Sequence, residues 1–320
     1  MIKFNRGVNV KIGIARAFLY YKYGYLWETF FKELGCEIVL SPETTKDTLR
    51  DGTKYSIDES CLSSKIYMGH IYYLIDKCDC ILVPRIATLA NRNSVCTKFQ
   101  AAYDLIKNTF KDKNIELLDY NIDYRKNQTE FKAFLELGKK LKKKKLDVIR
   151  AYYLAKQAEK KYNHIALIEQ EQLLKSANKL KILLVAHPYN IYDKLIGEPI
   201  IKYLEELDCV PIIADISPKE ESIKKAKELS PTLPWLYNKE LLGTIELYKK
   251  DIDGIILMTS FPCGPDSLVN EIIIRRIKDK PIINLILDEQ EGTAGRETRI
   301  ESFIDIIKLK KDDVRVKEKN

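Results

Sequence analysis

Residues 8–42, VNVKIGIARAFLYYKYGYLWETFFKELGCEIVLSP, decide the fold. The segment opens on a short aliphatic run, VNVKIGIA, and closes on another, CEIVLSP. Short, nearly continuous runs of Val, Ile and Leu suit strands buried on both faces. Between them, residues 24–35 (GYLWETFFKELG) set apolar side chains at helical spacing and end on Gly35, which can close a helix in the left-handed conformation. Strand, helix, strand is the reading. It recurs over residues 181–215, where KILLVAHPY leads through IKYLEELDCVPIIAD. Both copies pass into their second strand through an ELxC junction, and this weak internal repeat predicts two similar α/β lobes.

Outward from these segments the alternation continues. DCILVPR (79–85) and IELLDY (115–120) read as strands in the first half, DGIILMTSF (253–261) and KPIINLILD (280–288) in the second. Strands alternating with amphipathic helices predict parallel sheets in α/β layers. Pro218 to Ser230 reads as a helix with proline in its first turn. Residues 129–179 hold no strand pattern and no proline, and read as two helices. The expected organisation is an N-terminal α/β lobe over 1–128, a helical linker over 129–180 and a C-terminal α/β lobe over 181–320. The tail KLKKDDVRVKEKN is expected to fray.

The chain has 320 residues, enough for two full cores. Its hydrophobic fraction of 45% and charged fraction of 31% are those of a globular protein. No apolar run approaches the length of a membrane span. The opening MIKFNRGVNVKIGIARAF has neither the apolar core nor the cleavage site of a secretory signal, so the cytoplasm is the expected location, without membrane contact. The net charge is +8, lysine-rich and arginine-poor as in AT-rich anaerobes. The excess is partly local, in a run at Lys139, Lys140 and Lys142 to Lys145, which reads as a solvated helix face rather than a contact for an acidic partner or nucleic acid.

Seven cysteines, an odd number in a reducing compartment, read as thiols or metal ligands rather than as a disulfide frame. Three share a context. Cys61 opens CLSSKIYMGHIYYLID, Cys96 opens CTKFQAAYDLIKNTF, and Cys263 sits in FPCGPDSLVNEIIIRRI after an apolar strand. A helix N-terminus presents unpaired N–H groups and a partial positive charge, which favours thiolate and any anionic group bound by thiolates. Two readings fit: one convergent site holding an iron–sulfur cluster, or three buried apolar cysteines. Cys36 and Cys209 hold matching places in the repeat, at strand starts, and read as packing residues. Cys78 and Cys80 also stand at a strand start, away from the carboxyl ends where ligands gather.

Several signatures are missing. No G-x-x-x-x-G-K-S/T motif occurs, no G-x-G-x-x-G follows the first strand, and GTAGRETR has glycines without that spacing. No C-x-x-C pair occurs. Of three histidines, His70 lies mid-helix, His164 in the linker, and His187 ends a strand where a structural role is favoured.

The blocks KIGIARAFLYYKYGYLWETFFKELG, DESCLSSKIYMGH, ILVPR, CTKF, FPCGPDSLVNE and LDEQEGTAGRETRIESF, in this order from Lys11 to Phe303, resemble the 2-hydroxyacyl-CoA dehydratase superfamily. The resemblance is strongest to its acyl-CoA dehydratase activase-related (CoA-protein activase) branch, related to double-cubane cluster proteins. It implies two Rossmann-like lobes that hold a cluster between them through three cysteines. Carried over by position, the ligands are Cys61, Cys96 and Cys263, and the cofactor is a 4Fe-4S cluster or a linked double cubane. It implies a redox protein reduced by a separate ATP-hydrolysing activase, and a homodimer or a paralogous heterodimer. Two alternatives stay open: a 2-hydroxyacyl-CoA dehydratase subunit, or a non-catalytic scaffold or regulatory subunit. Family members often carry Pro at Ala15 and Cys-Pro at Cys61-Leu62 and Cys96-Thr97, so the local shape differs here.

Around the cysteines, Ser60 could offer a hydroxyl beside Asp58 and Glu59, Gly264 allows close backbone approach, and Asp266 could cap its helix. Arg85 could orient an anion or form a salt bridge. Asp288, Glu289 and Glu291, near Arg296, Thr298 and Arg299, could move protons or anchor the arginines. The aromatic group Tyr20, Tyr21, Tyr23, Tyr25 and Trp27 reads mainly as core, and the stretch IATLANRNSV (86–95) as a polar loop.

Overall fold

Ile12 and Ile14 point opposite ways from Gly13 and are fully buried, and the run they belong to forms β1 (Lys11–Ile14) in a computed structural model of the chain. The structure describes residues 9–89, 93–176, 179–290 and 293–318. The helix expected after β1 is α1 (Tyr20–Glu33), whose Leu26, Trp27, Phe30 and Phe31 are buried. Their i, i+1, i+4, i+5 spacing makes one apolar stripe, and each such side chain contributes about 1.5–3 kcal/mol when withdrawn from water. Gly35, at φ +66°, ends it as expected. β2 (Glu37–Leu40) then pairs parallel to β1.

The first compact unit comprises Met1–Ile165 and Pro234–Leu236. After β2 come α2 (Lys46–Lys54) and α3 (Leu62–Leu74), then β3 (Cys80–Leu89), a short β4 (Asn93–Ser94), α4 (Thr97–Thr109) and β5 (Leu117–Asp123). The parallel strands run β2-β1-β3, with β5 beside β3. The chain thus steps outward from β1 to β2 and returns across it to β3, which opens a crevice at the carboxyl ends of β1 and β3. α5 (Glu130–Lys140) packs on β5, and α6 (Lys145–Lys175) follows. Trp235 makes a parallel bridge with Ser94.

The stretch read as a polar loop is corrected in part. β3 continues through Leu89, and β4 pairs antiparallel with its end. Ile86 and Thr88 both face inward, and the Thr88 hydroxyl donates to Asp123 (2.7 Å), so alternation carries the strand past the aliphatic run. Residues 90–92 of that stretch lie outside those described.

The second unit comprises Ala166–Leu233 and Tyr237–Asn320. It holds β6 (Leu180–Val185), α7 (Pro188–Ile191), α8 (Glu198–Glu206), β7 (Cys209–Ile213), α9 (Lys219–Leu229), α10 (Leu236–Tyr248), β8 (Gly254–Ser260), α11 (Gly264–Arg276), β9 (Ile282–Leu287) and α12 (Thr293–Glu318). Its four strands are all parallel in the order β7-β6-β8-β9, so the crevice of this sheet opens between β6 and β8. Two α/β lobes with Rossmann-like parallel sheets is the observed class. Pro218 sits at the N-cap of α9, one residue ahead of its expected place, because the extended backbone it adopts there is non-helical. The tail expected to fray instead continues α12 as far as Glu318, its Lys-, Asp- and Glu-rich sequence being free of helix breakers.

Candidate functional site

Cys61, Cys96 and Cys263 are the N-cap residues of α3, α4 and α11, each with extended backbone and none with a side-chain cap bond to its helix. A helix that feeds a parallel strand runs against it, so these N-termini lie at the carboxyl end of their own sheet. All three cysteines are half-buried, whereas Cys36, Cys80 and Cys209 are buried. Burial pushes the thiol of Cys209 up to about 11 and raises those of Cys36 and Cys80, as expected of packing residues. Cys78, just ahead of β3, is likewise raised to about 11, chiefly by burial, and its sulfur contacts the Leu74 carbonyl at 3.4 Å.

In the first unit the surroundings of Cys61 and Cys96 are joined. Lys98, in the first turn of α4, donates from Nζ to the Oγ of Ser60 (3.3 Å), the residue before Cys61. The Phe18 ring lies 5.0 Å from Tyr67 of α3 and 5.2 Å, edge-on, from Phe99 of α4. Phe18 takes a left-handed backbone (φ +49°), a costly conformation for an aromatic residue that follows directly from the turn after β1. The same turn is tied to α3 by a polar chain. The Arg16 N–H donates to Ser41 Oγ (2.8 Å), Ser41 Oγ bonds His70 Nδ1 (2.8 Å), and His70 Nε2 bonds Thr44 Oγ1 (2.9 Å). Burial, aided by the Arg16 charge, pulls the His70 pKa down to about 3, so the ring is neutral.

In the second unit Cys263 belongs to a buried network. Its side chain hydrogen-bonds Asp266, one helical turn along α11. Asp266 Oδ1 also lies 3.0 Å from His187 Nε2 and accepts from Asn238 Nδ2 (2.8 Å). Burial alone raises a carboxyl pKa, but His187, Asn238 and Cys263 outweigh it, and Asp266 is held below the usual carboxylate range. It therefore does not cap α11 as expected; its charge is spent sideways. His187 is buried, stacked on Tyr189 and edge-on to Tyr237. Ser260, the last residue of β8, donates to Asn190 Oδ1 (2.7 Å) beside them.

The other nominated residues are placed as follows. Asp58 and Glu59 are exposed, while Ser60 is buried. Arg85 forms the salt bridge, to Asp104 at 2.5 Å, and lies over the Tyr103 ring. Asp288 accepts from the Glu289 N–H, Arg299 donates to the Asn284 carbonyl (2.7 Å), and Arg296 is buried. Glu291 and Gly292 lie outside the described residues. Of the aromatic group, Trp27 is core, against Tyr120, while Tyr25 is exposed and stacks on Tyr162. Lys140 of the lysine run bonds Asp119, and Lys139, Lys142, Lys144 and Lys145 are exposed. Among the described residues, no three His, Cys, Asp or Glu side chains stand close enough together to hold a metal ion, and no helix is long and apolar enough to cross a membrane.

A family model, the CoA enzyme activase uncharacterised domain, matches residues 11–216, well over half of the chain. Among solved structures, one titled "Crystal structure of ZnuA" is similar at 11% identity and a TM-score of 0.27, over 94% of this chain and 99% of that one, a likeness that bears on neither fold nor function. No curated relative matches the chain.

Proposed function

We propose a function from one premise: the chain belongs to the family of the CoA enzyme activase uncharacterised domain. In this proposal it is the iron–sulfur redox component of a 2-hydroxyacyl-CoA dehydratase-type system, related to the double-cubane proteins. Cys61, Cys96 and Cys263 are the thiolate ligands of a 4Fe-4S cluster or linked double cubane. A separate ATP-hydrolysing protein is the electron donor. When bound, such a group supplies one electron at low potential and an iron site for an oxygen ligand.

One observation carries the reading. Of seven cysteines, these three stand at helix N-caps on the carboxyl side of a parallel sheet, half-buried and without a capping bond. Soft thiolates are the donor type that iron–sulfur clusters use, and the partial positive charge of each helix start offsets their charge. The chain's own residues then hold and orient. Asp266, fixed by His187 and Asn238, sets the direction of the Cys263 side chain, and the Lys98–Ser60 bond links the segments that carry Cys61 and Cys96.

A second reading, a non-catalytic scaffold or regulatory subunit, is favoured by the lack of a metal-binding group among the described residues. Low-temperature EPR of the anaerobically reconstituted protein separates the two. The first reading predicts a paramagnetic signal on dithionite reduction that reoxidation abolishes. A protein silent in both states after iron and sulfide addition belongs to the second.

A further inference from the structure

We propose that β9 is a self-association edge: two copies of the chain pair β9 with β9, antiparallel across a two-fold axis, and join two four-stranded sheets into one continuous sheet.

β9 is an edge strand of the second sheet and pairs only with β8. The Ile255 N–H donates to the Pro281 carbonyl and the Phe261 N–H to the Leu287 carbonyl. The two backbone groups of one strand residue point to the same side, so the odd-numbered residues of β9 face β8. Ile282, Asn284 and Ile286 face outward. Among the described residues only one of their backbone groups has a partner, the Asn284 carbonyl, which accepts from Arg299 Nη2 (2.7 Å) and keeps a second lone pair.

Native sheets guard their edges against another chain with charge, proline, a bulge or a cover. The opposite edge, β7, is guarded twice. The Ala214 N–H donates to the Leu184 carbonyl, so Pro211 and Ile213 face outward. Pro211 has no N–H to offer there. Gln170 covers both backbone groups of Ile213, at 2.8 Å to its N–H and 2.9 Å to its carbonyl. β9, with the sequence IINLIL, holds neither charge nor proline, and Ile286 is 49% exposed. Asn284 bonds Asn270 of α11, so α11 covers the face that Asn284 shares with Ile286. Ile274, one turn beyond Asn270 on α11, is exposed on that same side.

Charge selects the partner. The segment leading into β9 carries Arg276, Lys278 and Lys280, with Asp279 the one acid among them, and the segment leading out carries Asp288 and Glu289. A second copy laid antiparallel sets the basic start against the acidic end at both ends at once, whereas a parallel copy sets like against like. With the axis at Asn284, Ile282 pairs with the partner's Ile286, and Lys280 stands opposite the partner's Asp288. A two-fold contact of this kind closes on itself, so association stops at the dimer. The strands of the two copies then run in opposite directions. Cys263 follows the carboxyl end of β8, so the two Cys263 residues lie at opposite ends of the joined sheet. A group bound at Cys263 in one copy is not shared with the other across this interface.

The test is sedimentation velocity of the full chain over a range of concentrations, for wild type, Ile286→Lys, Asp288→Lys and Lys280→Glu. Wild type is expected to pass from monomer to dimer with no larger species. Each variant should weaken the dimer roughly tenfold or more, because each change acts twice across the axis. Mixing Lys280→Glu with Asp288→Lys should restore dimer, since opposite charges then meet at both ends. Ile286 and Asp288 are exposed, so circular dichroism should show those two variants folded. They carry the test should Lys280→Glu, which loses a bond to the Ile252 carbonyl, fail to fold. Wild type that stays monomeric, assembles beyond the dimer, or dimerises equally well with Ile286→Lys and Asp288→Lys in place overturns the proposal. The readout does not depend on iron content, so its failure is distinct from failure of the cluster reading.

Discussion

His70 is a histidine that folding keeps neutral. Its folded pKa of about 3 lies below the value near 6.5 of the unfolded chain. Between those two values the unfolded state takes up a proton that the folded state refuses, so stability falls as the pH drops through this window and is unaffected above it. The slope from this one group approaches about 1.4 kcal/mol per pH unit. Urea unfolding at stepped pH should show His70→Gln losing less stability than wild type between pH 6 and 4; parallel curves would remove His70 as the cause. Asp266 is the opposite case, a carboxylate held ionised by its neighbours. Asp266→Asn keeps the shape but loses the charge that organises His187, Asn238 and Cys263, and is expected to cost about 2–3 kcal/mol in denaturant unfolding at pH 7. At this scale the N-cap cysteines were legible, because a strand or loop followed by a helix is a short-range pattern. The polar networks were not. His187 and Asp266 are 79 residues apart, Ser41 and His70 are 29 apart, and no local spacing announces such pairs.

Among the elements, α2 and α3 meet at backbone contact. A Cβ on Gly52 would stand 1.8 Å from the Lys65 carbonyl, and one on Gly69 would stand 2.0 Å from the Thr48 carbonyl. Only glycine fits either place, and each holds the other helix against the sheet that positions Cys61. Gly69→Ala is expected to destabilise the chain by about 3 kcal/mol or more, through overpacking against backbone that cannot yield. Differential scanning calorimetry checks it, and an unchanged midpoint would contradict the packing described. The eight aliphatic strand runs were legible because burial on both faces demands continuous Val, Ile and Leu. The overrun of β3 and the two-residue β4 were not, since polar residues there gain their strand from partners in β5 and β3 rather than from their own propensity.

For the whole molecule, the repeat read between residues 11–42 and 181–215 has its counterpart in topology. Each sheet places its first strand between the second and the third, β2-β1-β3 and β7-β6-β8. In each sheet the third strand in chain order, β3 or β8, is also followed by a half-buried cysteine at a helix start, Cys96 or Cys263. That duplication pairs Cys96 with Cys263, and Cys61 joins them in the proposal through its own N-cap place at the carboxyl side of the first sheet. The most direct test is iron and sulfide content after strictly anaerobic preparation of wild type and of Cys61→Ala, Cys96→Ala, Cys263→Ala and Cys36→Ala. The account predicts about four or more irons per chain in wild type and in Cys36→Ala, and loss of most of that iron in each of the other three. Wild type without iron, or iron retained at the wild-type level in any of the three N-cap variants, would contradict it.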